Sequence, residues 1–300
     1  MNILITGAEG LLGRRLATAL SGRGHQVIGV GHAALDITDF SQAQQVITAA
    51  APTLVLHCAA MIQVDRCAEQ PDKALHINGF GTRNIALICQ QMGIALAYIS
   101  TNEVFDGEQV SGYLEYDPPR PINPYGYSKW FGEQAVCDLV ARHYIIRTSW
   151  VFAHGGDNFL HRILNAAARG DQLSVVINEV AAPTYMDDLA DAVSRLVESE
   201  RYGVYHLVNE GRASRYQFAR HLLDCAGYAD RPITPILSMQ RYRPSTPPVY
   251  GVLRNFAAAQ SGIILRPWQA AVEAFFAQER ASNAAAARIP AAPPLAMVKP

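Results

Sequence analysis

The sequence predicts an α/β protein, a doubly wound parallel sheet with a small C-terminal lobe, and three observations predict it. Short apolar runs such as "ILIT" and "TLVLHCAAM" alternate with longer amphipathic stretches across the first 150 residues. Continuous apolar strands suit a parallel sheet covered on both faces, and the amphipathic stretches supply its right-handed crossovers. A glycine-rich turn stands between the first run and the first amphipathic stretch. The 300 residues, half hydrophobic and 17% charged, also suffice for one large domain or for a domain with a smaller lobe.

The elements follow in order. "MNILITG" reads as a strand and "GLLGRRLATALSGRG" as a helix closed by glycine. "HQVIGVG" is the next strand, and "DFSQAQQVITAAAP" is a helix that stops before Pro52. "TLVLHCAA" is a strand, "DKALHINGFGTRNIALICQQMG" one long helical stretch, and "IALAYIS" a strand again. "NPYGYSKWFGEQAVCDLV" begins another helix and "YIIRTSWVF" is a strand. Beyond Phe152 come a helix at "NFLHRILNAAARG", a strand at "LSVVI", a helix at "MDDLADAVSRLVES" and a strand at "GVYHLVNE". "SRYQFARHLLDCAG" is a helix with Ser214 as N-cap. The Pro-rich stretch 231–250 is expected to be irregular, and "RPWQAAVEAFFAQER" to be the last helix, with Pro267 near its first turn.

This pattern divides the chain into a nucleotide-binding domain at 1–155 and a mixed segment at 156–280 that completes the sheet and forms the substrate lobe. Residues 281–300, biased to Ala and Pro, are expected to be disordered.

Composition removes several function classes. A formal net charge of −1 provides no basic field for nucleic acid or an anionic membrane. No apolar run approaches the ~20 residues of a membrane helix. The N-terminus enters a strand at once, with no secretion signal, so a cytoplasmic location is expected. Cys58, Cys67, Cys89, Cys137 and Cys225 are scattered and form no C-x-x-C pair. That argues against a disulfide framework or zinc site and for a reducing compartment. No metal cluster is visible.

"TGAEGLLG" (6–13) carries Gly7, Gly10 and Gly13 between strand and helix. Glycines there permit a tight turn and close approach of a pyrophosphate, while the helix N-terminus offers free N–H groups and positive partial charge. A Rossmann-type site follows, with Gly7, Gly10, Leu11, Leu12 and Gly13 as its candidate contacts. An acidic residue at the tip of the second strand would favour NAD, but the tip here is Gly31-His32, and Arg14 and Arg15 follow the turn. This favours NADP(H), with NAD(H) as the alternative; the other reading of the two arginines is a solvated helix face. Asp36 and Ile37 are placed to flank an adenine. Cys58, Ala59 and Ala60 are small enough to leave room for the cofactor at the third strand's end, and Ser100 ends a later strand beside it.

"NPYGYSKWFGE" contains Tyr125 and Lys129, four apart and so on one helix face. A phenol titrates near pH 10, and a neighbouring ammonium favours the phenolate. The pair can then act as acid for a ketone being reduced, or as base for an alcohol being oxidised. Thr101 ends a strand at the sheet edge where α/β proteins bind ligands, so its hydroxyl can hold a carbonyl oxygen beside Tyr125. A strand-end threonine otherwise serves as a cap, and a Tyr and Lys on a helix as surface residues.

These motifs, with "LDITD" (35–39), "CAAMIQVDRCAEQP" (58–71), "STNEVFDG" (100–107), "RTSWVF" (147–152), "APTYMDDLA" (182–190) and "RPSTPPVYGVLRN" (243–255), resemble the extended short-chain dehydrogenase/reductase superfamily. Within it, the chain resembles the dTDP-4-dehydrorhamnose reductase family over residues 1–280. The resemblance implies hydride transfer from NADPH to C4 of a nucleotide-linked 4-keto-6-deoxysugar. It implies Tyr125 as proton donor, Lys129 on the nicotinamide ribose and tuning Tyr125, and Thr101 on the carbonyl. It also implies Trp150 against the sugar, Val64 and Asp65 near it, and Arg241 or Arg243 on the diphosphate. The expected partners are a nucleotide-sugar substrate and, where the chain self-associates, a second copy in a homodimer.

Two departures lie where the sugar should bind. The family's usual Asp-Tyr after the catalytic Thr is Asn102-Glu103 here, and its Gln-x-Gly-x-Pro-Thr is "EVAAPT" (179–184). Asn102 and Glu103 therefore join the candidate substrate residues, and a different nucleotide-ketosugar is the leading alternative substrate. The related 4,6-dehydratases carry Thr-Asp-Glu, but an amide at 102 cannot supply the proton that elimination needs. A non-catalytic subunit is the remaining alternative, and the intact Thr101, Tyr125 and Lys129 set argues against it.

Overall fold

The computed structural model describes residues 1–155 and 158–286. Strand and helix alternate from the start: β1 (Asn2–Thr6), α1 (Leu11–Gly22), β2 (Gln26–Val30), α2 (Phe40–Ala50) and β3 (Leu54–His57). The stretch expected to be one long helix is instead broken. It comprises α3 (Val64–Glu69), α4 (Pro71–Ala74), a π-helical segment Leu75–Gly81, and α5 (Thr82–Met92). Then come β4 (Ala95–Thr101), α6 (Pro124–Leu139) and β5 (His143–Thr148).

The second half contributes β6 (Val151–Phe152), α7 (Phe159–Arg169), β7 (Leu173–Val176), β8 (Val180–Ala181), β9 (Thr184–Tyr185) and α8 (Met186–Glu198). It continues with β10 (Gly203–His206), β11 (Ala213–Ser214), α9 (Arg215–Cys225), β12 (Ile233–Ile236), α10 (Phe256–Gln260) and α11 (Trp268–Ala286).

Six strands form a parallel sheet in the order β10-β5-β4-β3-β1-β2. The chain leaves β1 to one side for β2 and returns on the other side for β3. That reversal opens a crevice at the carboxyl ends of β1 and β3, where doubly wound sheets hold their ligands. Alternate strand residues feed two cores. Ile3, Ile5 and Ile146 pack with Leu16 of α1 and Leu189 of α8 on one face. Leu4, Val55, Tyr98 and Ile145 pack with Ile47 of α2 and Ile85 of α5 on the other. Each fully buried Leu or Ile contributes roughly 1.5–3 kcal/mol.

The lobe is built on an aromatic cluster of Phe152, Tyr185, Phe218, Trp268 and Phe275. Two-stranded ladders β6–β9, β7–β12 and β8–β11 surround it. Ser214 caps α9 in a capping box with Gln217, as its position before the helix predicts. The Pro-rich stretch is more ordered than expected, because Ile233–Ile236 pairs in parallel with Leu173–Val176. The ladder tolerates Pro235 because a two-stranded sheet has only edge strands. The last helix also runs further than expected, to Ala286. Residues 281–286 are thus helical rather than disordered, and 287–300 of the expected tail lie outside the described residues.

Candidate active site

The cofactor end of the cleft is made of backbone. Gly7 has φ +66, and a Cβ there would lie 2.8 Å from Ala59 at the end of β3, so only glycine lets the two strand ends close. Gly13 is equally constrained, because its Cβ would meet the Gly7 carbonyl at 2.5 Å. The N-cap of α1 is Gly10, which has no side chain to satisfy the first N–H groups. An uncapped helix N-terminus at the end of β1 suits an anion.

Several side chains at this end are committed differently from expectation. Arg15 is turned aside: its Nε donates to Asp187 at 2.6 Å and a terminal nitrogen to the His154 carbonyl at 2.9 Å. The tip of β2 instead receives a carboxylate, since a Cβ on Gly31 would lie 2.1 Å from the Glu9 carboxyl carbon. Asp36 spends its carboxylate on Thr38, accepting from its amide at 2.9 Å and its hydroxyl at 2.8 Å. Ile37 is 5% exposed and its side chain packs over Gly81. Both serve the local turn and the core rather than offering side chains to an adenine. Burial pushes the Cys58 thiol up to about 12, so this residue is a small unreactive filler beside Ala59.

Tyr125, Thr101 and Lys129 come together at the carboxyl end of β4. Asn123 caps α6 by accepting from the Gly126 amide at 2.8 Å, and Pro124 occupies the first helical turn. Gly126 is decisive here, because a Cβ would lie 2.0 Å from the Glu103 carbonyl oxygen. The first turn of α6 therefore seats directly on the strand end, bringing the Tyr125 phenol beside the Thr101 side chain. Ser128 donates to the Tyr125 carbonyl at 2.8 Å and accepts from Asn78 of the π-helical segment at 3.0 Å. Asn78 also accepts from the Met61 amide at 2.7 Å, tying α6 to the loop after β3.

The electrostatics differ from the simple tyrosine–lysine picture. Burial raises Tyr125 above its ordinary value and the Glu103 charge raises it further, while the Thr101 bond acts the other way. Lys129 does not offset this. Its ammonium lies 4.1 Å from the centroid of the Tyr98 ring, and burial lowers it to about 7 against the opposing charge of Glu133. Tyr125 is thus held firmly protonated, the form a proton donor needs.

Beneath Lys129, Glu133 takes both forks of Arg147, at 3.0 Å to Nε and 2.7 Å to a terminal nitrogen. Both are almost fully buried, so neither could lose its partner cheaply. Ser100 donates its hydroxyl to the same Glu133 carboxylate, which places it in this support rather than at the cofactor.

The opposite wall gathers residues from distant segments. Glu103 is buried and accepts from Asn123 Nδ2 at 2.6 Å. Burial pushes its carboxyl up to about 7, with the Asn123 bond and the nearby charges of Arg243 and Arg215 opposing and Glu179 adding. Asn102 spends an N–H within the protein: its Nδ2 donates to the Gly251 carbonyl at 3.1 Å. This pins the strap 243–251, which also accepts from Asn123 at the Thr246 carbonyl, 3.1 Å. Asp65 and Arg243, both expected at the substrate, meet each other at 2.8 Å. Val64, the residue before Asp65, begins α3 and is half-buried. Trp150 has φ +42, and its ring carries the Arg215 guanidinium at 3.5 Å.

Arg215 and Asn123 are site residues that sequence reasoning missed, and Glu179 enters it only as part of "EVAAPT". Glu179 carboxylate lies 3.8 Å from Arg215 Nε. Burial lowers Arg215 to about 10, with Glu179 opposing. Its only sequence signal is the place just after the Ser214 N-cap, which reads as a helix start and nothing more.

Comparison with known proteins agrees over nearly the whole chain. The RmlD substrate binding domain family matches residues 1–281. The spore coat polysaccharide biosynthesis protein SpsK of Bacillus subtilis is 38% identical over 93% of this chain and 98% of its own length. The dTDP-4-dehydrorhamnose reductase of Mycolicibacterium smegmatis is 34% identical over 90% of this chain and 84% of its own. The crystal structure of dTDP-4-dehydrorhamnose reductase from Bacillus anthracis in complex with NADP superposes with a TM-score of 0.89, at 34% identity, over 92% of this chain and 98% of that one.

Proposed function

The chain belongs to the RmlD substrate binding domain family, and from that premise we propose that it reduces the C4 keto group of a nucleotide-activated 6-deoxysugar, most simply dTDP-4-dehydro-L-rhamnose to dTDP-L-rhamnose, with NADP(H) preferred and NAD(H) as the alternative. The residues fit a dinucleotide: Gly7, Gly10 and Gly13 leave a cradle that any Cβ would fill, at the switch point and under an uncapped helix start. When bound, the nicotinamide supplies the hydride. Gly7, Gly10, Leu11, Leu12 and Gly13 receive the pyrophosphate, and Cys58, Ala59 and Ala60 border it.

Tyr125 hands its phenolic proton to the oxygen that becomes alkoxide as the carbonyl carbon is reduced. Thr101, beside the same phenol, shares the oxygen and orients it towards that proton. Lys129, one turn further on the same face, is the cation available to the phenolate left behind. Trp150, Arg215 and Arg243 face the sugar and its diphosphate. The observation that carries this reading is the seating of α6 on the strand end at Gly126, which sets Tyr125 beside Thr101.

Elimination finds less support, because the Asn102 amide is too weak an acid to protonate a leaving hydroxyl and its N–H is committed to the Gly251 carbonyl. A cytoplasmic location and a homodimer complete the reading. No described helix is long and apolar enough to cross a membrane, and the five cysteines are free.

The test is a panel of dTDP-, UDP- and GDP-linked 4-ketosugars with NADPH or NADH, followed by loss of nicotinamide absorbance. The expected result is turnover of a dTDP-4-ketosugar, falling by about 10²–10⁴ in kcat in Tyr125→Phe while NADPH still binds. A fully active Phe variant, or no turnover on the whole panel, would remove the assignment.

A further inference from the structure

Thr148, at the carboxyl end of β5, is 7% exposed, and its Oγ1 has no hydrogen-bond partner among the described residues. A buried hydroxyl left unbonded carries its full desolvation penalty, and native interiors keep few of them. Its neighbours are satisfied. Ser149 donates to the Ala182 carbonyl at 2.7 Å, and Ser100 donates to Glu133. The gap therefore belongs to Thr148 and not to the whole strand end.

Its position says what would fill that gap. Thr148 is the register partner of Thr101 on the adjacent strand, and adjacent strands lie about 4.8 Å apart. Ala95 and Ala97 of β4 and Tyr144 and Ile146 of β5 share one core face. Strict alternation then places Thr101 and Thr148 on that same face, at the sheet edge that holds ligands. Thr101 already accepts from the Glu103 amide at 3.2 Å and donates to Asn102 Oδ1 at 3.5 Å. Thr148 is the hydroxyl beside it with nothing to hold.

We propose that Thr148 is a further ligand-contacting residue, its hydroxyl bonding the reacting pair next to Thr101. The shared chemistry is a polar oxygen or amide within reach of a group that both donates and accepts. It comes either from the carboxamide of the nicotinamide or from a carbonyl or hydroxyl oxygen of the sugar. The identity of these ligands rests on the reductase reading; the unbonded hydroxyl does not.

The test is Thr148→Val, which replaces the hydroxyl by a methyl at nearly constant volume, with Thr148→Ser as the variant that keeps the hydroxyl. Ligand-free Thr148→Val should melt at or above the wild-type temperature, because it removes an unbonded polar atom. Saturating ligand should raise that temperature less than it does in the wild type. If the contact is the carboxamide, the Kd for NADPH alone rises about five- to tenfold. If it is the sugar, that Kd stays put and the ketosugar KM rises by the same factor. Thr148→Ser should keep both values near wild type. Unchanged affinities for both ligands in Thr148→Val overturn the proposal, whatever its melting temperature. Should the wild type turn over no ketosugar, the reductase reading falls, while the NADPH-binding and melting measurements still decide the role of Thr148.

Discussion

One wall of the cleft is a single run, residues 6–13, in which glycines let backbone approach backbone. The other joins Asp65, Glu103, Asn123, Glu179, Arg215 and Arg243 from separate elements, held by ion pairs and amide bonds. The first, which the proposed function assigns to the pyrophosphate common to every dinucleotide, can be made of peptide groups alone. The second, which the proposed function assigns to the sugar, is built of side chains whose charges depend on each other. The proposed catalytic residues sit between the two, on α6 and β4.

Gly126→Ala should give the largest break in that arrangement. The added methyl would lie 2.0 Å from the Glu103 carbonyl, an atom of the backbone that cannot step aside. Overpacking of this kind costs about 1–3 kcal/mol of stability. A displacement of Tyr125 by about an ångström costs roughly 10² in turnover. Thermal melting and kcat together check it, and a variant with normal kcat would mean that Tyr125 does not depend on that seat.

Arg215→Met comes next and concerns the assembled wall only. It strips a buried cation from Trp150 and leaves Glu179 without its partner. The ketosugar KM should rise by about tenfold or more, since a hydrogen bond to a charged group contributes about 1.5–3 kcal/mol. The Kd for NADPH should not change; if it does, the two walls are not separable.

A third expectation concerns pH and compares Glu103 of the assembled wall with Lys129 of the reaction centre. Glu103 is raised from 4.5 to about 7, so its protonated form favours the fold. That contribution is complete below about 4.5 and is lost as pH climbs through about 7. Lys129 is lowered from 10.5 to about 7, so its neutral form favours the fold, and stability returns as pH rises from about 7 towards 10.5. Ligand-free protein should therefore show its lowest melting temperature near neutrality. Glu103→Gln should flatten the acid side and Lys129→Met the alkaline side. A single slope through neutrality in the wild type would contradict this pairing.

The smallest effect belongs to the contiguous wall. Glu9 places a carboxylate against Gly31 at the tip of β2, where a 2′-phosphate would meet repulsion. Glu9→Gln should shift the ratio of kcat/KM for NADPH over NADH upward by about fivefold, corresponding to about 1 kcal/mol for an exposed charge contact. An unmoved ratio would place Glu9 outside the discrimination.

What could be read from sequence follows the same division. The glycine turn, the strand and helix alternation, the Ser214 cap and the Tyr125–Lys129 spacing are local patterns, and each forms where its residues suggest. Arg215, Glu179 and the pinned strap are products of tertiary approach: Asn102 meets Gly251 across 149 positions, and no local pattern encodes that meeting. The commitments of Arg15 to Asp187 and of Asp65 to Arg243 were hidden for the same reason, at separations of 172 and 178 positions. Lys129 shows a different limit. Its place one turn from Tyr125 was legible, but its burial over Tyr98 was not, and the burial decides its charge.

The segment Leu75–Gly81 winds with wider turns than the helix that follows it. A widened turn holds an extra residue, and each residue of an α-helix corresponds to about 100° of rotation. The phase of α5, which buries Ile85, Ile88 and Cys89, is therefore fixed upstream at Asn78, the residue that also braces α6. Loss of one residue there would leave the composition nearly untouched yet rotate the next three turns away from the sheet, as a gear advanced by one tooth misses its partner.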